Sequence, residues 1–213
     1  MSTDVLKYRK NLFDISKRME VVAEHLSGIA KTKYLVTEVE FLCLQFRKIL
    51  ELIALSSLVA NKDEYSKQHK KFAEHYNARI ILQDLERINP KFYPIPTKQI
   101  QNNIDGKSFF NLKPVTHGFL TKEDFLNAYE KCGGMLHAEN PYGKTRDLEK
   151  IRNEFPKWFN KINILLNHHN IELSDGETMI IGLMNGGDGL PQVTEFKIMK
   201  GKEADDILDK ASE

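Results

Sequence analysis

The densest group of chemically competent side chains lies between Lys131 and Gly143, in the run KCGGMLHAENPYG. His137 offers an acid/base with an unperturbed pKa of about 6.5. Asn140 adds a hydrogen-bonding amide, Glu139 a carboxylate and Lys131 a cation. Cys132 precedes His137 by five residues, a spacing that leaves a Cys–His pair open. Lys131 and His137 are six residues apart, so they lie on different sides of an ideal helix unless Gly133-Gly134 distorts it. The competing reading is conformational. Each glycine costs a helix interior about 1 kcal/mol relative to alanine, so the pair either ends the helix or lets another helix approach closely. Asn140-Pro141 then imposes a turn or extended backbone.

A second group sits on Tyr34–Asn61, a span without Gly or Pro. At about 100° per residue, Leu35, Val39, Leu42 and Phe46 share one broad side. Glu40, Arg47 and Glu51 fall within roughly 40° of one another opposite them, interleaved with Leu44 and Leu58. Arg47 and Glu51 are one turn apart and within reach of each other. On a solvent face that pair is worth a few tenths of a kcal/mol. Under cover, both charges must be paired and hydrogen-bonded, and such charges often mark a site. His25, His69 and His75 read as solvated on polar helices. His168-His169 reads as a helix end, where imidazoles suit the dipole but adjacent rings do not share a metal.

The elements that must position these groups read mainly as helices. Apolar residues from Asp4 to about Ala30 recur at three- and four-residue steps, ending near Gly28. Tyr34–Asn61 reads as a long buried helix. The stretch 62–90 reads as a helical pair or one interrupted helix, stopped before Pro90. Residues 90–119, rich in Pro, Gly and Asn, read as an irregular excursion with short strands at most. Such a segment is often functional, or is pinned by aromatics such as Phe92, Tyr93, Phe109 and Phe110. Thr121 with Asp124 resembles a capping box, and a further helix restarts around Pro156. IELSDGETMIIGLM and PQVTEFKIMK then read as strands joined by NGGDGL, followed by a short charged helix or frayed end. The expected fold is mainly α: a bundle of about five helices over 1–170, with the excursion at about 90–119. A small C-terminal β-hairpin and short helix over 171–213 would pack on it. An isolated hairpin is marginal in water, so it must pack on the bundle, recruit a strand from the excursion, or pair with another chain.

Thirty-one basic against 30 acidic residues leave a net charge of +1, which advertises no general grip on nucleic acid, a local basic patch aside. Cys43 and Cys132 form no CxxC pair, which argues against zinc-finger and thioredoxin-type chemistry. The N-terminal run MSTDVLKYRKNLF lacks an apolar export core. The longest apolar segment carries Glu38, Glu40, Arg47, Lys48 and Glu51, which argues against a membrane span. A cytoplasmic protein with no membrane partner is expected.

FRKILELIAL, followed later by KCGGMLHAENP, resembles the HEPN superfamily of helical domains found in bacterial defence and toxin–antitoxin systems. Many members are metal-independent, dimeric ribonucleases marked by an Arg four to six residues before a His. Lys131 stands at the place of that Arg, and Cys132 at that of the polar residue after it. The resemblance implies His137 as general acid/base, Glu51 as its acidic partner, and Lys131 or Arg47 as the stabiliser of phosphorane charge. Asn140 would orient the histidine or phosphate. It also implies an RNA or protein partner, a homodimer, and no metal or cofactor. A binding or scaffolding module, with Arg47, Glu51, His137 and Asn140 as a buried polar network, is the first expectation, and the ribonuclease is the alternative. A nucleotide or small-molecule binder using the excursion as a lid is a third.

Overall fold

The computed structural model describes residues 3–70, 72–104 and 107–198. Val5, Tyr8, Leu12, Ile15, Met19 and Val22 recur at helical spacing and are all buried along α1 (Thr3–Ser27). That helix stops where Gly28 takes φ +78, a conformation glycine adopts without penalty. α2 (Leu35–Ala60) runs through the centre of the molecule, with Val39, Leu42, Phe46, Ile49, Leu50 and Ile53 inaccessible. Residues 62–88 form a helical pair, α3 (Lys62–Gln68) and α4 (Ala78–Ile88), separated by a 3-10 turn at Phe72–Glu74. The Asn77 side chain accepts from the Arg79 and Ile80 N–H groups and so starts α4. α5 (Lys122–Met135) opens on the expected capping box, with Thr121 and Asp124 bonded reciprocally. α6 (Leu148–Arg152) and α7 (Phe155–Leu166) complete the helices, Pro156 lying in the first turn of α7, where it is tolerated.

The expectation of a helical bundle with a small hairpin is overturned by the sheet. Five antiparallel strands run in the order β2-β1-β3-β4-β5. The supposed excursion supplies β1 (Ile95–Ile104) and β2 (Lys107–Pro114), registered from Thr97↔Pro114 to Ile104↔Lys107. The HHN run taken for a helix end begins β3 (His168–Glu172). The single strand expected over 171–184 splits at Asp175-Gly176 into β3 and β4 (Thr178–Leu183). Asp175 makes that turn: one carboxylate oxygen accepts the Glu177 and Thr178 N–H groups, the other the Thr178 hydroxyl. β5 (Gln192–Lys197) closes the sheet against β4. β3 pairs with β4 on one side and with Ile95 and Pro96 of β1 on the other, so the sheet draws on the chain before and after residue 170. The charged helix expected over 202–213, and the Phe109 and Phe110 side chains expected to pin the excursion, lie outside what is described.

One face of the sheet is covered. Alternate residues His169, Ile171, Thr178, Ile180 and Val193 are buried where α1 and α7 pack on the strands. His169 is wholly inaccessible, with Nε2 2.8 Å from the Tyr8 hydroxyl and Nδ1 2.9 Å from the Leu166 carbonyl. The neutral ring that donates to Leu166 and accepts from Tyr8 satisfies every group. Gly182 lies against this ring, where a Cβ would come 2.6 Å from Nε2, so only glycine fits. Among the described residues no helix is long and apolar enough to cross a membrane.

Candidate functional site

Two of the five residues singled out from the sequence come together. Arg47 and Glu51 on α2 lie 3.3 Å apart, Nε to Oε1, with side chains 27% and 14% exposed. Arg47 Nη2 donates to the Tyr129 hydroxyl on α5 at 2.7 Å, and its guanidinium carbon is 4.1 Å from the Tyr129 ring centroid. Glu51 also takes Lys48 Nζ at 3.0 Å. Burial raises the Tyr129 hydroxyl above its usual pKa, with Arg47 opposing and Glu51 reinforcing the shift. Both charges are thus paired and hydrogen-bonded, and the cluster ties α2 to α5 without a ligand.

Gly133 makes room for it. A Cβ there would sit 2.6 Å from Arg47 Nη1, whereas one at Gly134 would meet nothing within 4 Å. The helix continues through both glycines to Met135. Of the two readings of Gly-Gly, close approach is the one realised, and what approaches is a side chain.

His137 and Asn140 lie past the end of α5, both exposed. The His137 imidazole has no hydrogen bond among the described residues; its carbonyl accepts Arg146 Nη1 at 2.7 Å. That guanidinium also reaches the Met135 and Ala138 carbonyls and caps the helix. Asn140 Oδ1 accepts the Tyr142 N–H, and its carbonyl accepts that of Gly143, a turn-forming role. Lys131 is half-buried and acts on Glu154 at the start of α7, helping Lys157 hold that carboxyl low. Cys132 is fully buried against Cys43, whose thiol hydrogen bond, together with burial, drives the Cys132 pKa far up. An inaccessible, protonated thiol is no nucleophile.

Among the described residues a concavity lies elsewhere. A groove of about 1010 Å³ opens between the β1–β2 ribbon, the C-terminal half of α7 and the end of β4. Lys98 and Lys113 line it and face each other directly across the two strands. Among the described residues no aspartate or glutamate lines it, and neither lysine has an ion-pair partner. The amides of Asn163, Asn167 and Asn185 also line it, and none is hydrogen-bonded within the described residues. His168 contributes a ring whose Nδ1 is 2.6 Å from Thr97 Oγ1; burial lowers its pKa and favours the neutral form. Ile100, Ile164 and Met184 supply apolar walls.

Sequence reasoning missed these residues because they come from five elements and carry no motif. The lysine pair was readable only by pairing β1 with β2. A second omission is local: His69, His75 and Asp84 converge, each offering a ligand atom within 4.8 Å of the others. These are the described residues best suited to hold a metal.

No family model matches the chain, and comparison with curated proteins and with solved structures gives no significant match.

Proposed function

We propose that the protein is a non-catalytic binding module for a phosphate-bearing ligand of nucleotide size, taken up in the β1–β2/α7 groove. The observation that carries this reading is the Lys98–Lys113 pair. Like charges directly opposite on adjacent strands are destabilising, and among the described residues no carboxylate offsets them. A bound phosphate supplies the missing charge. The three free amides suit the edges of a base or sugar hydroxyls, and the apolar walls suit a ring. The volume lies at the top of the range of about 300–1,000 Å³ usual for small-ligand sites. Binding is favoured over catalysis because the acid/base candidate His137 stands exposed beyond α5, while Arg47, Glu51 and Tyr129 satisfy one another.

The test is a binding titration with inorganic phosphate, a nucleoside monophosphate and a fluorescent five-nucleotide single-stranded RNA. Wild type binds the nucleotide, the RNA or both more tightly than phosphate alone, and Lys98→Gln/Lys113→Gln removes that preference. If RNA is the ligand, losing two phosphate contacts also flattens the slope of log K against log salt by about 1.4. If the lysines merely offset the partial negative charge at the C-terminal end of α7, the double variant loses thermal stability and binds as wild type does. That result would overturn the reading.

A further inference from the structure

We propose that His69, His75 and Asp84 form a binding site for a divalent transition-metal ion of the zinc class, separate from the groove. The three residues come from one short stretch. His69 caps α3, His75 follows the 3-10 turn, and Asp84 lies mid-way along α4, so the connection between α3 and α4 folds the donors onto one another. All three are half-buried.

The donor set and spacing suit such an ion. Two imidazoles and one carboxylate are ligands zinc accepts, leaving a fourth position for water. Two ligand atoms about 2.1 Å from zinc at the tetrahedral angle are about 3.4 Å apart. His69 Nε2 and Asp84 Oδ2 already stand at 3.6 Å. The widest donor separation, 4.8 Å at most, closes with a movement of about 1.4 Å, within the reach of side-chain rotation alone. The Tyr65 hydroxyl lies 3.0 Å from His75 Nδ1 and 3.4 Å from Asp84 Oδ2, where it can help to orient both ligands.

A second observation also points to a cation. The Asp84 side chain is only 12% exposed, yet its contacts among the described residues are all long: 3.4 Å to Tyr65, 3.6 Å to His69 and 3.6 Å to Arg87. Arg87 approaches Oδ1, the other oxygen, and is itself 78% exposed, so it leaves Oδ2 to the ion. A largely covered carboxylate normally has close donors or a metal. The two imidazoles face one another edge-on, ring centres 5.4 Å apart, beside that oxygen.

Tag-free full-length protein, stripped with a chelator, is titrated with Zn²⁺ and separately with Co²⁺. Wild type is expected to bind one equivalent per chain, to show the visible absorption of tetrahedral cobalt, and to gain about 5–10 °C in Tm at free zinc 100-fold above Kd. His69→Gln and His75→Gln each abolish the equivalent, while Tyr65→Phe weakens it by about 10- to 100-fold. Histidine NMR resonances of wild type, which need no variant to fold, shift at His69 and His75 and not at His25, His117 or His137. Absence of stoichiometric zinc in wild type, binding undiminished in folded His69→Gln, or resonances shifting only at other histidines would overturn the proposal.

Discussion

The two adjacent glycines of α5 give a controlled comparison. Gly134→Ala adds a methyl group that meets nothing within 4 Å and removes a helical glycine, so it should stabilise by about 0.5–1 kcal/mol. Gly133→Ala gains the same propensity but places its Cβ 2.6 Å from Arg47 Nη1. The guanidinium is the end of a flexible chain and swings away, surrendering its 2.7 Å bond to Tyr129 and its place over that ring. A hydrogen bond to a charged group is worth about 1.5–3 kcal/mol, discounted here to about 1 for an arginine 27% exposed. The ring contact adds about 0.5–1 kcal/mol. Gly133→Ala should therefore be less stable than Gly134→Ala by about 2 kcal/mol, or about 4–8 °C in Tm for a chain of this size. Urea unfolding of both variants measures the difference. The decisive version is a double-mutant cycle: with Arg47→Met already present, Gly133→Ala should become as favourable as Gly134→Ala. Equal stabilisation by the two alanines in the wild-type background would refute the packed guanidinium.

Buried His169 makes stability depend on pH. Burial, opposed by the Leu166 carbonyl, lowers its pKa from 6.5 to about 4. The unfolded chain therefore takes up the proton first. The contribution is complete above about pH 6.5, declines between 6.5 and 4, and is absent below. At 1.36 kcal/mol per pH unit this amounts to about 3 kcal/mol, visible as a steeper fall of the urea midpoint in wild type than in His169→Gln; parallel profiles would contradict it. Thr121→Ala, which breaks the capping box of α5, should cost about 1 kcal/mol and lower Tm by about 2–4 °C, read by calorimetry.

The helices were legible because their burial follows one period: α1 and α2 bury the residues their spacing selects. The same rule concealed the sheet. β1 and β2 read KQIQNNI and KSFFNLK, with lysine, asparagine and glutamine where alternation would place apolar residues. Their prolines mark only the strand ends. The Asp105-Gly106 dipeptide, one of the residue pairs favoured between two hairpin strands, was the overlooked signal. His168-His169 was misread because imidazoles suit a helix end, whereas only the partners Tyr8 and Thr97, from distant parts of the chain, explain their places in a strand. Of the candidate site, the Arg47–Glu51 pair was accessible from helical spacing. Its link to Tyr129, and the separation of His137 beyond the end of α5, depend on how two helices pack, which no local pattern encodes.

The central claim is that the groove between the β1–β2 ribbon and α7 takes a phosphate-bearing ligand. The most direct measurement is a backbone amide NMR titration of the whole protein with a nucleoside monophosphate. Saturable shifts concentrated at Thr97–Lys98, Lys113–Gly118, Asn163–His168 and Met184–Asn185 are predicted, and they should vanish in Lys98→Gln/Lys113→Gln. Shifts centred instead on Arg47, Tyr129 and His137, or none at all with nucleotide and short RNA alike, would contradict the account.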